Sequence, residues 1–197
     1  MERNSRKFSS PLPLEEEAKL VSGAQAGDSE AFGRLYRAYV QAIHRYLFLR
    51  LSDTSLAEDL TAEVFLRAVD GLPRYIQRGL PFGAWLFRIA RDRLVDYYRQ
   101  SARRPRAELD DSLPSDLPEP SDSAVDSETA ETLREALAEL TDEQRDVIQF
   151  RFMEEWSLEE TARVMNKSVN AVKALQHRAL NVLNRFMKGN ESRDSSA

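Results

Sequence analysis

Apolar residues recur every three or four positions along most of the chain, and this spacing predicts four helices in its first half. Three of the predicted helical stretches are 14–26, 57–68 and 82–100, and the second helix in chain order follows Gly27-Asp28 and carries an apolar stripe from Phe32 to Leu47. Asp28 or Ser29 can cap the second helix and Asp53 the third, because short polar side chains accept hydrogen bonds from the first free N–H groups of a helix. Gly71 and Pro73 end the third helix, so a loop over 74–81 precedes the fourth.

The same spacing predicts three helices over 141–187, the last two arranged as a helix-turn-helix. Ser157 and Glu160, three residues apart, form the sequence pattern of a capping box at the start of the middle helix. That helix is short and ends near Asn166, a residue type that tolerates the left-handed backbone of a tight turn. Ser168 can then cap the last helix.

The last predicted helix has an apolar stripe on one side and a polar face on the other. The stripe consists of Val172, Leu175, Ala179, Val182 or Leu183, and Phe186. The polar face carries Asn170, Lys173, Ala174, His177, Arg178 and Asn181. Hydrogen-bond donors, positive charge and a small residue near the start of a helix suit entry into a DNA major groove. The alternative is a helical hairpin whose polar face is simply solvated.

The net charge is −5, but the charges are distributed unevenly along the chain. Residues 34–106 contain 14 Lys and Arg against 7 Asp and Glu, a local balance of +7. Residues 107–143 contain 1 against 13, or −12, and residues 144–188 contain 8 against 5, or +3. Two basic regions therefore flank an acidic one, and the basic regions are compatible with a nucleic-acid partner despite the negative total.

Composition excludes several classes of site. The chain has no cysteine, which excludes disulfides, thiolate metal sites and a thiol nucleophile. No apolar run approaches the length of a membrane span, and the N-terminus lacks the apolar core of a signal peptide. We therefore expect a cytoplasmic protein with no direct membrane insertion.

The expected fold is all-α, with two small helical domains joined by an acidic flexible linker. We expect the domains to cover 14–104 and 131–188, and the linker to cover 105–130. The linker contains several prolines, is rich in Ser and Asp, and has few large apolar residues, so it cannot build a core. It is predicted to be a flexible tether, either solvated or bound in a positively charged channel.

The predicted helix over 57–68 carries a leucine framed by acidic groups on its polar side. Asp59, Glu63 and Leu66 share this side, whereas the apolar residues of the helix face the opposite way. An apolar knob between carboxylates suits a basic, grooved protein partner. The alternative is a solvated face with one stray leucine. Because no nucleophile or metal-ligating histidine accompanies the carboxylates, an enzymatic site is not favoured. His44, in the preceding helix, has no second histidine or carboxylate at ligand spacing and is interpreted as a packing or surface residue.

The predicted helix over 82–100 is basic and interleaved with aromatic residues. Its expected core side consists of Leu86, Phe87, Ala90, Leu94 and Tyr97. Opposite lie Arg88, Asp92, Val95 and Arg99, with Trp85 and Ile89 at the edge and Arg91 and Arg93 on the flanks. Such a surface suits contacts to DNA phosphates and stacking on unpaired bases. Alternatively, the aromatic residues belong to the core.

Two stretches of the first half and one of the second resemble a known family. The sequence AEDLTAEVFLRA at 57–68 and the stretch 82–99 resemble the second conserved region of the extracytoplasmic-function (ECF) group of the sigma-70 family of bacterial RNA polymerase sigma factors. The pattern of Ser168, Val172-Lys173 and His177-Arg178-Ala179 resembles the promoter-reading domain of the same family. The resemblance covers roughly 24–104 and 128–187, in the family's order.

The resemblance implies a sigma factor that binds core RNA polymerase and directs promoter-specific transcription initiation. It implies polymerase binding through Asp59, Glu63 and Leu66. It places on the side of the −10 element Arg88, Arg91, Asp92, Arg93, Asp96 and Arg99. It places against the −35 element Asn170, Lys173, Ala174, His177 and Arg178. It also implies an anti-sigma factor as a partner, and no catalytic site, metal or cofactor.

The chain departs from the family pattern at three places. The family usually has Gln at the position of Ala62, Asn at that of Asp92, and a basic–apolar pair at Leu175-Gln176. Compared with asparagine, Asp92 lacks a hydrogen-bond donor and is repelled by phosphate. The promoter sequence that this chain recognises therefore cannot be inferred from the promoters of its relatives. The alternative function is a stand-alone helix-turn-helix transcriptional regulator, which would leave the helix over 57–68 without a role. A helical enzyme would need a convergent polar pocket, and the sequence offers no residue set for one.

Overall fold

A computed structural model describes residues 11–77, 79–103, 132 and 135–194, and every regular element in these ranges is helical. The described residues form two compact units, one up to residue 103 and one from residue 132 onwards. The predicted all-α, two-domain fold is confirmed. The predicted linker over 105–130 lies outside the described residues. None of the described helices combines the length and the apolar composition that a membrane span requires.

The first unit contains the four predicted helices. They are α1 (Leu14–Gln25), α2 (Ser29–Leu51), α3 (Thr54–Gly71) and α4 (Phe82–Arg103), with a 3₁₀ turn over Leu72–Arg74. The Asp28 carboxylate accepts hydrogen bonds from the backbone N–H groups of Glu30 and Ala31, which confirms it as the cap of α2. The Asp53 carboxylate accepts from Leu56 N–H and caps α3. Replacing such a cap by alanine typically costs about 1 kcal/mol, so these side chains define the helix starts.

The core of the first unit is built from the predicted apolar stripes. The fully buried side chains include Leu35, Ile43, Tyr46 and Leu47 of α2, Val64 of α3, and Leu86 and Phe87 of α4. Each large apolar side chain contributes roughly 1.5–3 kcal/mol when it is removed from water. Some apolar residues at the same helical spacing are only partly buried. Tyr36 remains 42% exposed with its ring edge against Phe65, and Leu56 is half-buried.

His44 lies beside the core stripe, as predicted. Its imidazole is half-buried and stacks on the Phe48 ring at a centroid distance of 6.2 Å. Across the described ranges, no group of three or more His, Cys, Asp or Glu side chains is arranged to hold a metal ion. His44 packs against Phe48 in this structure.

The second unit contains the three predicted helices and two features that the sequence analysis did not predict. The helices are α5 (Asp142–Ile148), α6 (Leu158–Met165) and α7 (Val169–Asp194). Residues 135–138 are also helical, and Ala136, Leu137 and Leu140 are buried. In addition, α5 continues into a π-helix over Gln149–Met153, a wider turn that brings Trp156 back to stack on Phe150 at 4.9 Å.

The helix-turn-helix geometry follows the sequence prediction closely. The Ser157 hydroxyl accepts from Glu160 N–H at 3.2 Å, and the Glu160 carboxylate accepts from Ser157 N–H at 2.6 Å, which completes the capping box. Asn166 ends α6 in the left-handed conformation, with φ 53° and ψ 47°. The Ser168 hydroxyl accepts from Ala171 N–H at 3.2 Å at the start of α7. These local interactions set the turn that orients α7.

The apolar stripe of α7 is buried only in its first half. Val172, Leu175 and Ala179 are buried, whereas the predicted continuation through Val182 or Leu183 to Phe186 is half-buried. The reason is length. Helix α7 has 26 residues, whereas α5 and α6, the helices that it packs against, have 7 and 8, so the last turns of α7 extend past both.

Candidate nucleic-acid and protein interfaces

Helix α3 presents an exposed ridge, as the sequence predicts. Asp59 is exposed, Leu66 is 65% exposed, and Glu63 lies between them on the same side. The structure adds Val69, which is 47% exposed and lies one turn beyond Leu66. We call Asp59, Glu63, Leu66 and Val69 the α3 ridge. It combines two large apolar side chains with carboxylates on a rigid helix, a composition suited to a protein partner with an apolar groove and a basic rim.

Glu63 joins the α3 ridge to helix α4. Its Oε2 accepts hydrogen bonds from Arg93 Nε at 2.8 Å and Nη2 at 2.5 Å. Arg93 Nη1 also donates to Asp96 at 3.1 Å, and the Arg93 side chain is only 12% exposed. Three residues that the sequence analysis assigned to two different surfaces therefore form one cluster. Its two carboxylates offset the charge of Arg93 and hold its guanidinium away from solvent.

The remaining predicted −10 residues lie along α4. Arg88, Asp92 and Arg99 are exposed on one side of the helix together with Val95, and Arg91 is half-buried on the flank. Leu86, Phe87, Ala90 and Leu94 are buried on the other side, and Tyr97 is half-buried. The exposed side of α4 is therefore a mixed surface, with two arginines separated by an aspartate.

A cavity of about 400 Å³ lies at the start of α4, and the sequence analysis did not predict it. Its walls include Arg74, Tyr75, Ile76, Leu80, Trp85 and Arg88. We call it the α4 pocket. The Tyr75 and Trp85 rings lie 4.6 Å apart at an interplanar angle of 32°. Ile76 is 68% exposed, and both arginines are exposed. Aromatic faces beside guanidinium groups are suited to an unpaired nucleobase and its phosphate.

The neighbours of the two aromatic walls affect the packing of Trp85 and the protonation of Tyr75. A side chain at Gly71 would clash, because its Cβ would lie 2.9 Å from Trp85 Cζ2, so only glycine lets the end of α3 approach this ring. Burial, reinforced by the charge of Glu17 and opposed by Arg88, raises the pKa of Tyr75 to about 12. The Tyr75 phenol, which is neutral at physiological pH even with the ordinary tyrosine pKa of 10.0, therefore keeps its proton further into the alkaline range.

The predicted recognition face is exposed along the first half of α7. Asn170, Lys173, Ala174, His177 and Arg178 all lie on it and are solvent-accessible. His177 Nδ1 lies 3.2 Å from Asn181 Nδ2, one turn further on. Gln176, which departs from the family pattern, is half-buried and accepts from Arg151 Nε at 3.2 Å. It therefore ties α7 to the π-helical segment and does not belong to the exposed face.

The recognition face is flanked by further basic surface that the sequence analysis did not include. A groove at the turn before α7 has a lining that includes Glu159, Arg163, Asn166, Lys167 and Ser168, and Lys167 forms an ion pair with Glu143 at 2.7 Å. Beyond Arg178, the face continues past Asn181 to Arg185. Arg163 and Arg185 therefore add exposed positive charge on either side of the recognition face, whereas Glu143 offsets the charge of Lys167.

Comparison with family models finds two matches in this chain. Residues 35–104 match the description "Sigma-70 region 2", which covers most of α2 and all of α3 and α4. Residues 136–185 match "Sigma-70, region 4", which covers the helix-turn-helix unit. Helix α1 lies outside both matches.

Whole-chain comparison finds similar curated proteins. The chain is 39% identical over 171 residues to the ECF RNA polymerase sigma factor BldN of Streptomyces coelicolor, with 86% of this chain and 65% of that protein covered. It is 33% identical over 165 residues to the ECF RNA polymerase sigma factor SigX of Bacillus subtilis, with 81% and 84% covered. The chain therefore spans about two thirds of the length of the first relative and most of the second.

Two solved structures have a similar fold. One is CnrH in complex with the cytosolic domain of CnrY, with a TM-score of 0.69 at 24% identity, covering 88% of this chain and 98% of that one. The other is the sigma factor RpoE in complex with the anti-sigma factor NepR from Bartonella quintana, with a TM-score of 0.66 at 21% identity, covering 80% and 96%. At these identities the likeness concerns the fold.

Proposed function

Because this chain belongs to the ECF group of sigma-70 RNA polymerase sigma factors, we propose that it binds core RNA polymerase and directs it to specific promoters. The observation that carries this function is the presence of regions 2 and 4, in this order, in one chain. A stand-alone helix-turn-helix regulator would need only the second unit, and it would leave the α3 ridge and the α4 pocket without a role. Sigma factors in general are not enzymes, and we infer that this one acts by binding, in the cytoplasm.

Run-off transcription tests this function directly. Core polymerase would be incubated with genomic fragments, with and without the full chain, and the transcripts would be sequenced. We expect discrete start sites that depend on the added chain. If no start site depends on it, whereas a known sigma factor supports initiation with the same core enzyme, the chain is not a sigma factor under these conditions.

We assign core polymerase to the α3 ridge. Asp59 is exposed two turns before Leu66, and the Glu63 carboxylate remains 46% exposed although it binds Arg93. A basic partner surface could therefore contact both carboxylates while Leu66 and Val69 enter an apolar groove. Buried apolar anchors surrounded by polar contacts carry most of the binding energy in such interfaces.

We assign the −10 element to the α4 pocket and to the exposed side of α4. The pocket would hold an unpaired base between aromatic and guanidinium groups, and Arg88 and Arg99 would contact phosphates. Asp92 would face the DNA as an acceptor, which favours exposed amino groups of bases over phosphate. We further infer that Arg93 and Asp96 position α4 against α3 and do not contact the DNA, because both belong to the Glu63 cluster.

We assign the −35 element to the exposed first half of α7. Arg178→Ala is expected to cost roughly 1–3 kcal/mol and to relax the base preference at one position, if its fork binds a guanine edge. Lys173→Ala is expected to weaken binding about equally on all sequences, because a lysine ammonium most simply meets phosphate. Holoenzyme binding to a duplex library with a randomised −35 element measures both effects. Unchanged transcription and unchanged base preference in both variants would contradict this assignment.

We also propose an anti-sigma factor as a partner. The exposed α3 ridge and the basic faces would be blocked in the inactive state, and similar solved folds are complexes of this kind, such as RpoE with NepR. Affinity capture of the tagged chain from uninduced cells is expected to recover a stoichiometric protein besides polymerase. Recovery of polymerase alone, under conditions in which the target promoters are silent, would argue against the proposal.

A further inference from the structure

Helix α1 contacts both ends of the segment that connects α3 to α4. This segment contributes Tyr75, Ile76 and Leu80 to the wall of the α4 pocket. At the first end, Gln25 Nε2 donates to the carbonyl oxygens of Leu72 at 3.0 Å and Tyr75 at 2.8 Å. These two carbonyls bracket the 3₁₀ turn that follows α3. One exposed amide group at the end of α1 therefore fixes the turn from which Tyr75 enters the pocket wall.

At the second end, Glu17 holds the start of α4. Its carboxylate is fully buried, and Oε1 accepts a hydrogen bond from Phe82 N–H at 2.6 Å. Oε2 accepts from the Tyr39 hydroxyl of α2. The first N–H groups of a helix have no partner within the helix, and a negative charge there is stabilised by the helix dipole. Glu17 therefore acts as a cap supplied from 65 residues away.

The contacts of Glu17 continue into the aromatic wall of the pocket. A Cβ at Gly83 would lie 2.5 Å from Tyr39 Cε1, so the first turn of α4 is seated directly on the ring that bonds Glu17. The Phe82 ring lies edge-on to Tyr75 at 5.5 Å and to Trp85 at 5.4 Å. The orientation of both aromatic walls thus depends on where α1 holds the ends of the segment between Tyr75 and Phe82.

We propose that Glu17 and Gln25 are positioning residues that preform the α4 pocket, which makes α1 part of the base-selecting apparatus. The proposal rests on the assignment of the −10 element to this pocket. A pocket whose walls are already ordered spends less binding free energy on ordering them, so it can discriminate more strongly between bases. Glu17 holds the start of α4 from within the core, and Gln25 holds the turn after α3 from the surface.

A matched pair of substitutions at Gln25 tests the proposal. Gln25→Glu keeps the length but directs a carboxylate at two carbonyl oxygens, whereas Gln25→Lys keeps a donor. Holoenzyme made with each full-length variant would select from a pool of short single-stranded DNA of random sequence, and the bound strands would be sequenced. We expect Gln25→Glu to lower the enrichment of the preferred base about tenfold, since two hydrogen bonds are lost. We expect Gln25→Lys to retain it.

The enrichment of the preferred base relative to the other bases separates a positioning role from changes in overall affinity. The extra charge of Gln25→Lys raises affinity for all sequences alike, and partial unfolding lowers it for all alike, so neither changes the ratio. Core binding and the unfolding midpoint of each variant check that the fold is intact. Retained preference in Gln25→Glu, or equal loss in both variants, would overturn the proposal.

Trp85→Ala in the same selection distinguishes this inference from the function on which it rests. If Trp85→Ala loses the preference and Gln25→Glu keeps it, the pocket reads the base and only the role of α1 is wrong. If Trp85→Ala keeps the preference, the assignment of the −10 element to the α4 pocket is itself wrong.

Discussion

Leu66→Arg is expected to abolish co-purification of the chain with core polymerase. Leu66 is 65% exposed at the centre of the α3 ridge, so the substitution removes an apolar anchor without disturbing the core. The new arginine also carries a positive charge. The carboxylates of the α3 ridge favour a basic partner surface, and such a surface would repel this charge. Loss of a central anchor in an interface typically costs at least about 2 kcal/mol, which is roughly 30-fold in affinity, and charge repulsion adds to it. Affinity capture and titration of labelled chain with core enzyme measure the loss.

Val95→Arg is a matched control for Leu66→Arg. Val95 is also an exposed apolar residue within a helix, 48% accessible, but it lies on α4 outside the α3 ridge. It should leave core binding unchanged, although it alters the surface assigned to DNA. The helix content and unfolding midpoint of both variants should match those of the unmodified chain. Wild-type affinity of Leu66→Arg for core polymerase would exclude the α3 ridge as the principal contact.

Trp85→Ala is expected to reduce the affinity of the holoenzyme for single-stranded −10 DNA by roughly 10- to 100-fold. The reason is the loss of the larger aromatic wall of the α4 pocket, since stacking of one base on an aromatic side chain contributes about 1–3 kcal/mol. The rate of open-complex formation on duplex promoters should fall by a similar factor, because capture of an unpaired base stabilises the opened strands. Fluorescence anisotropy with labelled oligonucleotides and stopped-flow detection of strand opening measure the two effects.

Trp85→Phe keeps an aromatic face and should retain most of the affinity, which separates stacking from simple loss of packing. The packing contribution is real, because Trp85 lies against Gly71 and Phe82. Unfolding midpoints of both variants therefore accompany the binding measurements. Equal affinity of Trp85→Ala and the unmodified chain for single-stranded DNA would mean that the pocket does not hold a base.

The cluster of Glu63, Arg93 and Asp96 joins two helices in a way that the residue pattern of neither helix predicts. On a helical wheel, Glu63 belongs to the polar side of α3 and Arg93 to the flank of α4, and each assignment is correct for its own helix. The ion pair joins residues 30 positions apart, and it exists because α3 and α4 pack side by side. Periodicity describes which way a side chain points from its helix, but it contains no information about which helix lies opposite.

The same limit applies to helix α1. The sequence offered one signal, since Glu17 shares a helical stripe with the buried residues Leu20 and Val21. An acidic residue on an apolar stripe predicts a buried partner without identifying it. Its partners, Phe82 N–H and the Tyr39 hydroxyl, come from two other helices, and the α4 pocket that they support is formed by residues from a turn and a helix start.

The sequence by itself determined the helices α1 to α7, the caps at Asp28, Asp53, Ser157 and Ser168, the left-handed turn at Asn166 and the exposed faces of α3, α4 and α7, because each depends on side chains within about four positions of one another. Tertiary structure alone decided that Arg93 is held by Glu63, that the α7 stripe loses its cover after Ala179, and that Gln25 and Glu17 hold the pocket across 47 and 65 residues. The physical reason is that hydrogen bonds and ring contacts between distant segments form only after apolar burial has chosen which helices pack together.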